Sequence, residues 1–114
     1  MRKTGQIILV RYPQTDFIEG KLRPALLLSK VPGNYKDWLL CMISTKEKQL
    51  LSEIDEIINN DSEDFKMSGL KSESVIRIFR LAVVSEEILL GSIGEISGDR
   101  LKRIKDKIAE WVRN

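Results

Sequence analysis

The chain has 114 residues, of which 42% are hydrophobic and 32% charged, with a formal net charge of +2. That length supports one modest core, hence a single domain 1–114, and the composition is that of a soluble globular protein and excludes a disordered one. Histidine is absent, which argues against a catalytic triad, a paired-histidine nuclease and an ordinary zinc site.

An enzyme built from this chain has to work with electrostatics, hydroxyls, carboxylates or a borrowed magnesium ion. The net charge is too small to predict nucleic-acid binding, so the placement of the charges has to carry any such reading. Arg2, Lys3, Arg11, Lys21, Arg23 and Lys30 make the first thirty residues basic. Glu53, Asp55, Glu56, Asp61, Glu63 and Asp64 make the middle acidic, and Lys102, Arg103, Lys105 and Lys107 make the end basic again. The single Cys41 excludes an intramolecular disulfide, fits a reducing cytoplasm and reads as a buried structural thiol. No apolar segment approaches the length of a membrane span and no signal cleavage site follows the basic start, so the expectation is a cytoplasmic protein.

In chain order, Gln6 to Arg11 reads as a strand that Tyr12-Pro13 stops. Gln14 to Gly20 is a polar loop, and Ala25 to Ser29 is a buried strand. Val31-Pro32-Gly33-Asn34 is a turn, after which Trp38 to Ile43 forms a strand with few polar positions that crosses the middle of the core. Lys46 to Leu51 is a short helix or a loop. Glu53 to Ile58 is a half-exposed strand, Asn59 to Ser62 a turn, and Ser74 to Phe79 another strand that Leu81 to Val84 continues after a bend. Ser85-Glu86-Glu87 opens a helical turn capped by Ser85, or simply turns the chain. A last short strand centres on Ile96, between Gly94 and Gly98.

The closing segment is the clearest helix. Ser97 or Asp99 caps it, and Leu101, Ile104, Ile108 and Trp111 form an apolar stripe, with Lys102, Arg103, Asp106 and Glu110 toward solvent. Several short strands followed by one amphipathic helix predict a mainly β fold: a small antiparallel β-barrel with the helix across an open side.

Arg23 is the leading candidate for chemistry. Pro24 restricts its backbone, and its planar fork matches a phosphate bidentately. A solvent-exposed arginine at a strand end fits the same pattern, and the residues alone leave the two readings open. Lys21 faces the same side of an extended chain and strengthens the local positive field. Ser44 and Thr45 follow a long apolar strand, where hydroxyls emerge at the sheet edge; on the residues alone, a pair that satisfies its own backbone is the simpler reading. Gly69 marks a tight turn, after which Lys71, Ser72 and Ser74 offer a charge and two hydroxyls, or merely a polar lead-in to the next strand. Arg77 and Arg80 add basic groups pointing to different faces. The acidic run from Glu53 to Asp64 lacks the spacing of a calcium loop and reads as a solvated strand face. Tyr12, Phe17 and Tyr35 lie in or beside loops, where they can stack on unpaired bases, whereas Phe65, Phe79 and Trp111 are assigned to the core.

Separated blocks together resemble the MazF/PemK family of toxin ribonucleases. They are Gly5 to Pro13 with Thr15-Asp16, Lys21 to Ser29 with its Arg-Pro pair, Ile43-Ser44, Gly69-Leu70-Lys71 to Ile78, and Ile93 to Ser97 leading into the closing helix. The resemblance implies a small SH3-like or CcdB-like β-barrel, a homodimer, and a sequence-selective endoribonuclease of single-stranded RNA that needs no metal or other cofactor. It implies that the RNA's 2′-hydroxyl attacks the adjacent phosphate, leaving a 2′,3′-cyclic phosphate. Carried onto this chain, the catalytic residues are Arg23 and Ser44, with Thr45 one step away. The RNA-binding set is Gln14, Asp16, Glu19, Lys21, Lys46, Lys71, Ser74 and Arg77. The implied partner is a small antitoxin whose acidic, disordered tail occupies the RNA groove. Some relatives carry an acid where this chain has Phe79; Glu19 or Asp16 is a candidate substitute. A gyrase poison and a catalytically silent RNA-binding module are the alternatives the same barrel admits.

Overall fold

The structure is a computed structural model, and it describes residues 2–11, 22–45 and 54–114. The expected loop from Gln14 to Gly20 and the segment from Lys46 to Leu51 lie outside the described residues. Six strands form one sheet: β1 (Gln6–Arg11), β2 (Leu22–Lys30), β3 (Asp37–Thr45), β4 (Glu56–Ile58), β5 (Ser74–Ser85) and β6 (Leu89–Glu95). Two helices accompany it, α1 (Phe65–Ser68) and α2 (Gly98–Arg113). The strand order is β4-β5-β3-β2-β1-β6, and every neighbouring pair is antiparallel. β3 is interior to the sheet, as its apolar run predicts. The mainly β fold with a C-terminal helix is as predicted; the edges β4 and β6 are not hydrogen-bonded to one another, so the sheet does not close.

Ala25, Leu26, Leu27 and Leu28 are all buried, because both faces of β2 are covered. Side-chain alternation sends Leu26 and Leu28 to one face, where they join Ile7, Cys41, Ile43, Ile58, Ile76, Ile78, Ile96 and Ile104. Ala25 and Leu27 go to the other, with Ile8, Val10, Trp38, Leu40 and Leu89. Cys41 is a structural thiol, as expected: burial and then the nearby Asp55 carboxylate push it up to about 12.

The bend predicted within β5 is a register shift. Met42 of β3 pairs with Arg77, and its neighbour Cys41 pairs with Leu81, so Ile78, Phe79 and Arg80 bulge between them. The last strand lies earlier than predicted. β6 ends at Glu95, and Ile96 follows it, donating its backbone N–H to the Gly5 carbonyl. Pairing with β1 decides this, since it recruits Gly91 and Gly94 despite their poor strand propensity.

The single turn of α1 carried no periodic signal. It stops at Gly69, which adopts φ 75° and packs so tightly that a Cβ would overlap the Ile93 carbonyl. Ser85 caps a 3-10 turn at Glu86–Ile88, accepting from the Glu87 N–H. Ser97 caps α2, accepting from the Arg100 N–H at 3.1 Å. Ile104 is fully buried in the stripe, whereas Trp111 is 58% exposed and meets Phe79 edge-on at 5.1 Å. The stripe outruns the sheet by a turn. No helix among the described residues is long and apolar enough to cross a membrane.

Candidate functional site

Arg23 pairs with Val10 across β1–β2, and the β2–β3 register aligns Ala25 with Met42. Two residues further along, that register brings Arg23 level with Ser44. Ser44 pairs in turn with Val75, and Met42 with Arg77. Cross-strand partners and every second residue share a face. Arg23, Ser44 and Arg77 therefore lie on one face at one end of three adjacent strands.

The three side chains differ in how they are satisfied. Arg77 Nε donates to Ser44 Oγ at 3.0 Å, and its Nη1 donates to Asp55 Oδ2 at 3.0 Å. Arg23 Nε is buried and meets no hydrogen-bond partner among the described residues. A buried donor left unmet costs about 1–3 kcal/mol. A guanidinium in that condition is ready for an anion that completes it.

The remaining expected residues are spread more widely. Thr45 follows Ser44, so alternation turns it to the opposite face, level with Ser74. Ser74 is buried, and its hydroxyl donates to the Ser72 carbonyl at 2.9 Å. Lys71 is exposed in the bend that follows Gly69. Gln14, Asp16, Glu19, Lys21 and Lys46 lie outside the described residues.

The acidic run corrects the sequence reading. Asp55, Glu56 and Asp64 are 8%, 8% and 2% exposed, so these three are not solvated, whereas Asp61 and Glu63 are exposed as expected. Asp55 pairs with Arg77. Glu56 and Asp64 instead hold α2. Arg100 Nε and Nη2 grip both oxygens of Asp64 at 2.8 and 3.2 Å, while its Nη1 reaches Glu56 at 2.8 Å. Arg103, assigned to solvent, donates to both oxygens of Glu56 at 2.7 and 2.8 Å, and Lys107 adds a contact at 3.3 Å. Burial raises the Glu56 carboxyl, but the Arg103 hydrogen bond and the charges of Arg103, Lys107 and Arg100 outweigh it and hold it below its ordinary value. For Asp64 the Arg100 hydrogen bond and the Ser97 N–H do the same against burial.

Asp55 is the residue that sequence reasoning missed. The available signal was Arg77 itself, a charge inside the apolar run Val75-Ile76-Arg77-Ile78, which requires a buried partner.

Six antiparallel strands backed by a C-terminal helix, with a guanidinium and a hydroxyl level at one end, define a small single-sheet protein. A family model described as PemK-like, MazF-like toxin of type II toxin-antitoxin system matches residues 3–112, and the chain belongs to that family. Among solved structures, a Mycobacterium tuberculosis toxin, MazF-mt6, aligns at TM-score 0.65 and 17% identity, covering 92% of this chain and 93% of its own. An endoribonuclease in complex with its cognate antitoxin, from a mycobacterial species, aligns at TM-score 0.63 and 12% identity, covering 96% and 93%. Those identities make the likeness one of fold. Comparison with curated proteins gave no match.

Proposed function

We propose that this chain is a sequence-selective endoribonuclease toxin that cuts single-stranded RNA without a metal. In the reaction the ribose 2′-oxygen bonds to phosphorus as the bond to the 5′-oxygen breaks. The products are a 2′,3′-cyclic phosphate and a free 5′-hydroxyl, with the 2′-proton removed and the 5′-oxygen protonated. Arg23 neutralises charge that grows on the phosphoryl oxygens, and the Ser44 hydroxyl donates to one of them. The exposed Lys71 contacts the flanking nucleotides, whereas Thr45, turned to the face opposite Ser44, takes no direct part. Gln14, Asp16, Glu19, Lys21 and Lys46 complete the RNA-binding set, while Ser74, buried with its hydroxyl donated to Ser72, lies outside it. The chain acts in the cytoplasm as a homodimer, and a small antitoxin with an acidic tail silences it by occupying the same positive end.

One observation carries this reading: the buried Nε of Arg23, without a partner among the described residues, on the face and at the level of Ser44. Family membership supports it, as does the mycobacterial neighbour described as an endoribonuclease bound to its antitoxin.

The test is cleavage of a mixed-sequence single-stranded RNA in EDTA by antitoxin-free wild type and Arg23→Ala. The wild type is expected to cut at a few defined sites. The variant should lose about a thousandfold in kcat, with its melting midpoint no lower than the wild type's, since the buried Nε has no bond to lose. Folded wild type that cuts none of a varied set of RNAs, or Arg23→Ala that cuts as well as wild type, overturns the reading.

A further inference from the structure

We propose that Arg77 is a positioning residue for Ser44 and that Asp55 fixes Arg77 for that task; the proposal rests on the ribonuclease reading above. Arg77 occupies the middle of an apolar strand stretch, and the side chains of Arg77 and Asp55 are only 13% and 5% exposed. The pair is therefore held inside the fold, away from the solvent through which RNA arrives. Its second contact leads to the site, because Arg77 Nε donates to Ser44 Oγ at 3.0 Å.

The consequence follows from hydroxyl chemistry. A serine hydroxyl has one hydrogen and two acceptor positions. Arg77 fills one of the two acceptor positions, which leaves the hydrogen and one acceptor position, so toward a group that only accepts Ser44 is a donor. The oxygens of a phosphodiester are acceptors only. A hydroxyl whose hydrogen is kept clear of Arg77, level with Arg23, needs less reorientation as charge develops on the phosphate. Asp55 supplies the second half of the device. Its carboxylate takes Nη1, which fixes the guanidinium plane and neutralises its charge within the protein. On this account Arg77 acts on RNA through Ser44 and not by direct phosphate contact.

The two roles separate kinetically. A direct phosphate contact sets affinity and salt dependence across all sequences. A positioning role is felt in kcat and vanishes when the positioned group is gone. Arg77→Lys is the informative change, because an ammonium still pairs with Asp55 but has no donor at the Nε position. The experiment measures kcat and KM on an RNA oligonucleotide carrying one wild-type cleavage site, for wild type, Arg77→Lys, Ser44→Ala and the double variant. We expect Ser44→Ala to lose about a hundredfold in kcat and Arg77→Lys about tenfold, each with KM unchanged. The double variant should be no slower than Ser44→Ala alone. Should Arg77→Lys melt below the assay temperature, the paired Asp55→Asn, Arg77→Gln chain carries the same comparison with no buried charge left unpaired.

A double variant whose loss is the product of the two single losses overturns the proposal, as does Arg77→Lys that raises KM and spares kcat. Wild type that cuts no RNA overturns the ribonuclease reading and this role together. Wild type that cuts through Arg23, with additive losses at Arg77 and Ser44, overturns the positioning role alone.

Discussion

Asp55 and Glu56 are neighbours in the chain, yet their carboxylates belong to different faces of the sheet and to different kinds of network. Glu56 pairs in register with Ile76, so it points beneath α2; Asp55 points the other way, to Arg77. The network under α2 is closed. Both oxygens of Glu56 and both of Asp64 accept hydrogen bonds, and Arg100 spends Nε, Nη1 and Nη2 on them. The network at the sheet end is open. It runs from Asp55 through Arg77 to a hydroxyl that has a hydrogen to give, level with a guanidinium that has a buried N–H unmet. The closed network ties a helix to the sheet, and the open one leaves a hydroxyl hydrogen level with Arg23 Nε, which meets no partner among the described residues.

The largest expected effect that sharpens this contrast comes from Arg100→Met. It strands Asp64, whose remaining side-chain partner among the described residues is the Ser97 N–H. Breaking a buried pair on one side costs about 3–5 kcal/mol, read as a lower urea midpoint. At a temperature where both chains are folded, kcat should be unchanged. A kcat that falls with the stability would join the two networks into one and break the comparison.

Acid titration probes the same closed network with a smaller effect. Glu56 and Asp64 are both held below their ordinary values of 4.5 and 3.8. A carboxylate with a depressed folded pKa contributes stability that is fully present above its unfolded pKa and is lost as pH falls through the folded one. The chain should therefore keep its urea midpoint from neutrality down to about pH 5 and lose it progressively below. Glu56→Gln should cost about 2 kcal/mol at pH 7, where it removes a charge-assisted acceptor from Arg100 and Arg103. Its deficit should shrink as the pH falls, because acid removes the same charge from the wild type. A deficit that stays constant to pH 3 would show that the charge of Glu56 is not what stabilises the helix.

How much of this was legible in sequence follows from the range of each interaction. β1, β2 and β3 were legible because their apolar runs bury locally, and α2 because its stripe and the Ser97 cap lie within one helix. Arg23 and Ser44 were legible as residue types at strand ends and through the family blocks, but not as level partners, since register is a property of two strands. The acidic run was misread because its partners are distant: Arg77 lies 22 residues from Asp55, and Arg100 lies 44 from Glu56. The clue was on the cationic side. Arg100 sits four residues before Ile104, on the buried side of α2, where a charge requires a buried mate. Trp111 failed in the opposite sense, for helical periodicity continues past the point where the sheet ends.

The smallest expected effect tests how tightly the closed network is tied to the start of α2. Ser97 donates its backbone N–H to Asp64 Oδ2 at 3.0 Å, Asp64 holds Arg100, and the Arg100 N–H donates back to Ser97 Oγ at 3.1 Å. Ser97→Ala removes only the last link of this ring, because the backbone N–H remains. The loss should be that of an N-cap alone, about 1 kcal/mol. Combined with Glu56→Gln it should add, since the cap and Glu56 share Arg100 through different atoms, its backbone N–H and its Nη1. A combined loss well above the sum would mean that the cap sets the guanidinium's position, so that backbone and side chain of Arg100 act as one unit. In either case kcat should not move, because no link of this ring reaches Ser44 or Arg23.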